Sequence, residues 1–209
     1  MKNDNVDAFI DYVKCETKSK GIKCILSPSK YVVIKSENNM RCNGYFWDKE
    51  AVLKCAINKP FDNWFPVLVH EFSHFEQWSS GSKIWIDYAN SKCSEVFFDW
   101  VNGKDGKDVD LSLVKESYLM IKELERDCEK RTLKNIVKFN LPIDCGLYIR
   151  RSNAYVLFYD YLYKYQKWYK TGKAPYESLE VLSFMPDKLV GKGRVATKVQ
   201  MELFGKYCF

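Results

Sequence analysis

Both histidines of this chain fall within one five-residue stretch, His70-Glu71-Phe72-Ser73-His74. The stretch reads His-Glu-x-x-His. On a helix, positions i and i+4 share a face, so the two imidazoles can meet one metal ion while the intervening Glu points toward the same site. In a chain with only 2 histidines among 209 residues, that placement arises by chance about once in a thousand sequences. The plainer alternative is a pair of hydrogen-bonded histidines on an ordinary helix.

What surrounds the motif is a chain able to bury a full core. It is 46% apolar and 16% aromatic, and its length suits a single domain. With 29% charged residues, and no apolar run near the roughly 18 residues that span a bilayer, it does not read as a membrane protein. Met1-Lys2-Asn3-Asp4-Asn5-Val6-Asp7 has no apolar signal core, so a native start and a cytoplasmic location are expected. The cysteines, at 15, 24, 42, 55, 93, 128, 145 and 208, include no Cys-x-x-Cys pair. They are expected to be reduced thiols, mostly buried, and not a zinc ribbon. The net charge of +6 comes from 33 Lys and Arg against 27 Asp and Glu. Interleaved with acids as they are, the basic residues describe a solvated surface more readily than a nucleic-acid face.

The periodicity predicts an α+β fold. Val6, Phe9, Ile10 and Val13 mark an amphipathic helix over about 4–18, capped by Asn3 or Asp4. Short β-type runs follow at Ile22–Leu26, Tyr31–Ile34, Cys42–Trp47 and Ala51–Ile57. Between them lie the turn formers Ser27-Pro28-Ser29, Asn38-Asn39 and Asp48-Lys49-Glu50. They describe a small sheet of three or four strands whose last two form a hairpin. Asp62 or Asn63 then caps the motif helix, which runs to about Ser79 with Pro66 in its first turn. Further helices are expected over Ser94–Val101, stopped by the Gly103–Gly106 loop, over Leu111 to about Val137 behind Asp110, over Ser152–Lys170, and around Thr197–Leu203. The whole is expected to be one domain: an N-terminal helix and small sheet (1–60), the metal-binding helices (61–140) and an aromatic-rich helical C-terminal part (141–209).

A catalytic zinc takes three protein ligands and a water. With no third histidine, the third ligand must be a carboxylate or a thiolate. The long helix offers one within Glu123-Leu124-Glu125-Arg126-Asp127-Cys128-Glu129. Its apolar stripe runs Val114, Tyr118, Ile121, then Glu125, then Cys128, Thr132 and Ile136. A carboxylate interrupting a core-facing row costs several kcal/mol unless something compensates it, and a divalent cation would. Glu123 and Asp127 are expected on the opposite, charged side. Glu129, one turn beyond Glu125, suits the N–H of a ligating histidine. The alternatives are that Glu125 belongs to a helical ion-pair array, and that Cys128 is either a small packed residue or itself a ligand.

His70-Glu71-Phe72-Ser73-His74, followed about fifty residues later by Glu125-Arg126-Asp127-Cys128-Glu129, resembles the gluzincin pattern. That pattern is found in minigluzincins, in soluble relatives of CAAX-processing proteases and in ImmA-type peptidases. The resemblance covers roughly residues 40–135. It implies a zincin-like fold and a zinc metallopeptidase in which Glu125 is the third zinc ligand and Glu129 orients a histidine. Two features depart from the family: Cys128 stands where Ala is usual, and the aromatic-rich helix after Ser152 has no counterpart.

In that scheme His70, His74 and Glu125 hold Zn²⁺ and Glu71 is the general base. With no histidine left, the oxyanion donor is a Tyr, an Arg or a backbone N–H; the side-chain candidates are Tyr148, Arg150, Arg151 and Tyr155, with Tyr155 the choice. Val52–Asn58 is expected to be the sheet edge that binds a protein or peptide substrate. Two other functions remain open. One is a non-catalytic binding or assembly protein that keeps zinc or only the fold. The other is nucleic-acid association through Tyr161-Leu162-Tyr163-Lys164-Tyr165-Gln166-Lys167-Trp168-Tyr169-Lys170.

Overall fold

A computed structural model of the chain describes residues 4–34, 40–104 and 109–209. The fold is α+β, with a small sheet near the N-terminus and a mostly helical C-terminal part. It divides into two compact units. The first is Met1–Ser82 with Cys128–Ile143, and the second is Lys83–Asp127 with Asp144–Phe209.

The first unit opens with α1 (Asp4–Ser19), which buries Val6, Phe9 and Val13 on the face that their spacing predicts. Asp4 lies inside its first turn, where a negative charge complements the helix dipole; Asn3 is outside the described residues. Three strands follow as one sheet in the order β1 (Lys23–Ser27), β5 (Val52–Ala56), β4 (Gly44–Trp47). Strands β4 and β5 form the expected antiparallel hairpin, closed by Ala51 N–H donating to Asp48 C=O at 3.0 Å. Strands β2 (Val32–Ile34) and β3 (Met40–Cys42) pair separately as a two-stranded antiparallel sheet. The Asn38-Asn39 turn between them lies outside the described residues.

One expectation about this sheet is overturned. Strand β5 is not an edge, because β1 pairs parallel to it from Lys23↔Val52 to Ser27↔Ala56 while β4 takes its other side. The hairpin is a local signal, but the parallel partners come from 29 residues upstream, and nothing in the pattern of β5 announces them. Among the described residues the edges of this sheet are β1 and β4.

The motif helix is α2 (Phe61–Ser79). Its N-cap is Pro60, which makes no side-chain cap bond; Asp62 and Asn63 both sit inside the first turn. Neither is the cap that the sequence suggests. Pro66 consequently falls in the second turn, where it forgoes the helical bond that an N–H at that position would make to the Asp62 carbonyl. Tertiary burial offsets the loss. Phe65, Leu68, Val69, Phe72 and Phe75 are all buried, each contributing roughly 1.5–3 kcal/mol. Phe9 of α1 meets the rings of Phe65, Phe72 and Phe139 edge-on, with centroids 6.0, 5.8 and 5.1 Å away.

The second unit comprises α3 (Lys83–Ala89), α4 (Cys93–Val101), most of α5 (Leu111–Lys138), α6 (Cys145–Tyr165), α7 (Leu179–Leu182) and α8 (Lys198–Tyr207). Helix α5 passes from this unit into the first at Cys128. Asp110 caps it as expected, accepting from Ser112 N at 2.9 Å. Thr197 caps α8 in a reciprocal box with Gln200. Gly103, at φ 63°, closes α4; Gly106 is outside the described residues. Helix α6 starts seven residues before the expected Ser152, because Asp144 accepts from Leu147 N at 2.8 Å. It stops at Gln166, which is left-handed, so the segment 161–170 is not one helix. Within this unit Asp160 gathers a buried polar network. Lys122 Nζ lies 2.5 Å from Asp160 Oδ1, Ala196 N–H donates to Oδ2 at 2.6 Å, and the Tyr118 hydroxyl also donates to Asp160. No described helix is long and apolar enough to cross a membrane.

Gly44 shows how closely β4 approaches α2. A Cβ there would lie 2.8 Å from Val67 Cγ1 and 3.0 Å from both Glu71 Cγ and Lys54 O. Gly44→Ala is expected to destabilise the first unit by about 1–3 kcal/mol, read as a lowered denaturation midpoint by circular dichroism. An unchanged midpoint would show that this packing is loose.

Candidate metal centre

His70 and His74 lie one turn apart on α2, with ring centroids 4.8 Å apart and planes at 86°. Facing them within the first unit is the last part of α5, beginning at Cys128. His70 Nδ1 is 3.2 Å from Glu129 Oε1. His74 Nδ1 is 2.8 Å from Gln77 Oε1. An oxygen acceptor at Nδ1 favours the Nδ1–H form of a neutral imidazole, the form that offers Nε2 to a metal once any second proton is displaced. Cys128 Sγ is 3.6 Å from His70 Nδ1 and 3.9 Å from Nε2, and donates to the His70 carbonyl at 3.3 Å. One donor atom from each of His70, His74 and Cys128 lies within 4.8 Å of the other two.

Electrostatics favour a cation here. Burial by itself would lower the pKa of His70, but the charges and hydrogen bonds of Cys128 and Glu129 outweigh it and hold the imidazole well above its ordinary value. An environment that stabilises imidazolium stabilises a bound divalent ion by the same charges. Glu71 is 8% exposed, and its Cγ packs against Gly44, 3.0 Å from where a Cβ would stand. Its carboxylate also reaches the strands. Burial first, and then the Glu71 charge, raises the thiols of Cys42 and Cys55 to about 12 each.

The seam that holds these groups is polar and buried. Thr132 Oγ1 donates to Ser73 Oγ at 2.9 Å, and Asn135 Nδ2 donates to Glu76 Oε2 at 2.7 Å. Of the residues singled out in the sequence, His70, Glu71, His74 and Glu129 come together in the first unit. Two residues gain importance that the sequence did not give them. Gln77 is fully buried, and its only sequence signal is a polar side chain three residues after His74 on a helix with a buried face. Cys128 occupies the buried stripe as expected, but against an imidazole.

Glu125 and Tyr155 belong to the second unit. There the Tyr155 and Tyr159 hydroxyls lie 3.1 Å apart, and burial, then the Glu125 charge, raises both phenols well above their ordinary value. They stay protonated and able to donate. Tyr148 is buried in the same unit. Arg150 pairs with Asp187 at 2.7 Å, and Arg151 Nε is buried with no hydrogen-bond partner among the described residues. Glu123, expected on a charged outer side, instead pairs with Arg126 at 2.7 Å with both side chains largely covered. In the aromatic segment, Tyr161 and Leu162 are buried and Tyr163 stacks on Tyr118 at 4.6 Å, while Tyr165 and Trp168 are exposed.

No family model, curated protein or solved structure matches this chain.

Glu129→Ala removes the acceptor on His70; if the site takes zinc, affinity in chelator competition is expected to fall by roughly 10–100-fold, and an unchanged affinity would dismiss the pairing. With pKa values of about 12, Cys42 and Cys55 remain thiols near neutrality. Their thiolate fraction is on the order of 10⁻⁴ at pH 8 and rises tenfold per pH unit. Alkylation mapped by mass spectrometry should therefore spare both at pH 8 while exposed Cys15 reacts.

Proposed function

We propose that the chain is a zinc-dependent metallopeptidase with a narrow protein target. The observation that supports this most is the pair of oriented imidazoles. Both histidines of His-Glu-x-x-His have Nδ1 against an oxygen acceptor, Glu129 for His70 and Gln77 for His74, as ligating histidines do. Buried histidines of an ordinary core are hydrogen-bonded as well; what a core pair does not call for is a third metal-type donor, and one atom from each of His70, His74 and Cys128 lies within 4.8 Å of the others. In this reading His70 and His74 hold the metal together with a third donor from α5. A bound zinc ion supplies Lewis acidity and brings the pKa of its water toward neutrality.

The remaining roles fall to the chain's own groups. Glu71, between the two histidines and covered by β4, takes a proton from water and returns it to the leaving amine. The position of β4 supports a peptide substrate. It is an edge of the sheet and passes the Glu71 side chain at Gly44, so an extended peptide adding to that edge would run beside the general base. This replaces β5 as the strand that receives substrate.

A non-catalytic zinc protein is the second reading, favoured by Cys128 and Glu129 both standing beside His70. If both coordinated, four protein donors would close the site.

Glu71→Gln separates the two. Under the peptidase reading it keeps stoichiometric zinc and lowers turnover of a peptide library by about 10²–10⁴-fold. Equal turnover by the variant and the unaltered chain, or none by either, would count against catalysis.

A further inference from the structure

Beside the two imidazoles α5 presents a thiol where the sequence alone favours a carboxylate. We propose that Cys128 Sγ is the third protein donor, giving a His70–His74–Cys128 metal site; this rests on the metal-binding part of the reading above. Three observations carry it. The first is proximity: the donor atoms of these three residues lie within 4.8 Å of one another. In a tetrahedral site with ordinary zinc–nitrogen and zinc–sulfur bonds, sulfur and nitrogen ligands are about 3.5 Å apart. Cys128 Sγ is 3.9 Å from His70 Nε2, the nitrogen left for a metal, and 3.6 Å from Nδ1, so a small shift of the thiol completes this edge.

The second is the division of labour between neighbours on α5. Glu129 takes the Nδ1 side of His70 at 3.2 Å, which leaves Cys128, the residue before it, to meet the metal with the other nitrogen. One pair of consecutive residues thus supplies both a ligand and the group that orients its partner. The third is burial. Cys128 is fully buried in a seam otherwise lined by Ser73 and Thr132, which bond to each other. Its S–H donates to the His70 carbonyl at 3.3 Å, which holds the sulfur against the motif helix and beside the imidazole.

A donor set of two imidazoles and one thiolate selects borderline-soft divalent ions such as Zn²⁺ and Co²⁺ over Mg²⁺ and Ca²⁺. It also leaves a coordination position for water or substrate, as catalysis requires. Glu129 then remains an acceptor for His70 and does not close the site.

The test is titration of Co²⁺ into the purified full chain, followed by electronic absorption. One equivalent should bind with a thiolate-to-cobalt charge-transfer band in the near ultraviolet. The band should vanish in Cys128→Ser and Cys128→Ala, with circular dichroism confirming that each is folded, and should persist in Glu125→Ala. Zinc affinity of the Cys128 variants should fall by more than the roughly 10–100-fold typical of substitutions outside the ligand set. Stoichiometric binding without the band, or a band that survives in a folded Cys128 variant, overturns the thiolate ligand while leaving the metallopeptidase reading in place. No binding of Co²⁺ or Zn²⁺ at all overturns both.

Discussion

The arrangement of the first unit turns on one constraint: α2 is buried on opposite sides by different chemistry. Its apolar side, with Phe65, Leu68 and Phe72, packs among α1 and the strands. Its polar side, with His70, Ser73, His74 and Gln77, meets the end of α5. A helix with only an apolar face could rotate several degrees at little cost, because hydrophobic contact is not directional. The buried polar side removes that freedom. Ser73, Thr132 and Asn135 are all nearly solvent-free, and leaving any one of them unsatisfied would cost on the order of 1–3 kcal/mol. Their mutual hydrogen bonds fix the rotation of α2 and hence the direction in which both imidazoles point.

The sheet serves this helix at close range. Strand β4 approaches near enough that Gly44 must lack a side chain, and the space so released is occupied by the stem of Glu71. The glutamate is thus pressed between strand and helix while its neighbours in the motif face α5. The shared charge effect on Cys42 and Cys55 comes from the same closeness. Burial of the general-base candidate and burial of these thiols are one packing decision.

The second unit is organised differently. Its core is aromatic and aliphatic, drawn from α4, α5, α6, α7 and α8, and it is crossed by the Asp160 network rather than by a seam of small hydroxyls. Lys122 and Asp160 are each 5% exposed on their side chains. Such a pair stabilises little net of desolvation, but it penalises strongly any packing that separates its members. The network ties the segment 194–196 to α5 and α6 and so sets where α8 begins, at the Thr197 cap.

Much of this was legible wherever the signal is local. The i, i+3, i+7 spacing of Val6, Phe9 and Val13 marks α1, Asp-Lys-Glu marks the β4–β5 hairpin, and Asp110 and Thr197 mark helix starts, because each depends on residues within one or two turns. Asp144 carries the same kind of signal, and by capping α6 it starts the helix earlier than the aromatic run suggests. The stripe Val114, Tyr118, Ile121, Cys128, Thr132, Ile136 is buried at every one of these positions, as helical periodicity requires. By itself, then, the sequence determined the α+β class, the helix that holds both histidines and the chemistry those side chains can perform. Only the tertiary structure decided that β5 is central, that the histidine facing Glu129 is His70, that Gln77 meets His74, and that a thiol stands beside His70. Those outcomes depend on which distant segments share a seam, and the periodicity of a single helix shows which face is buried without naming what is buried against it.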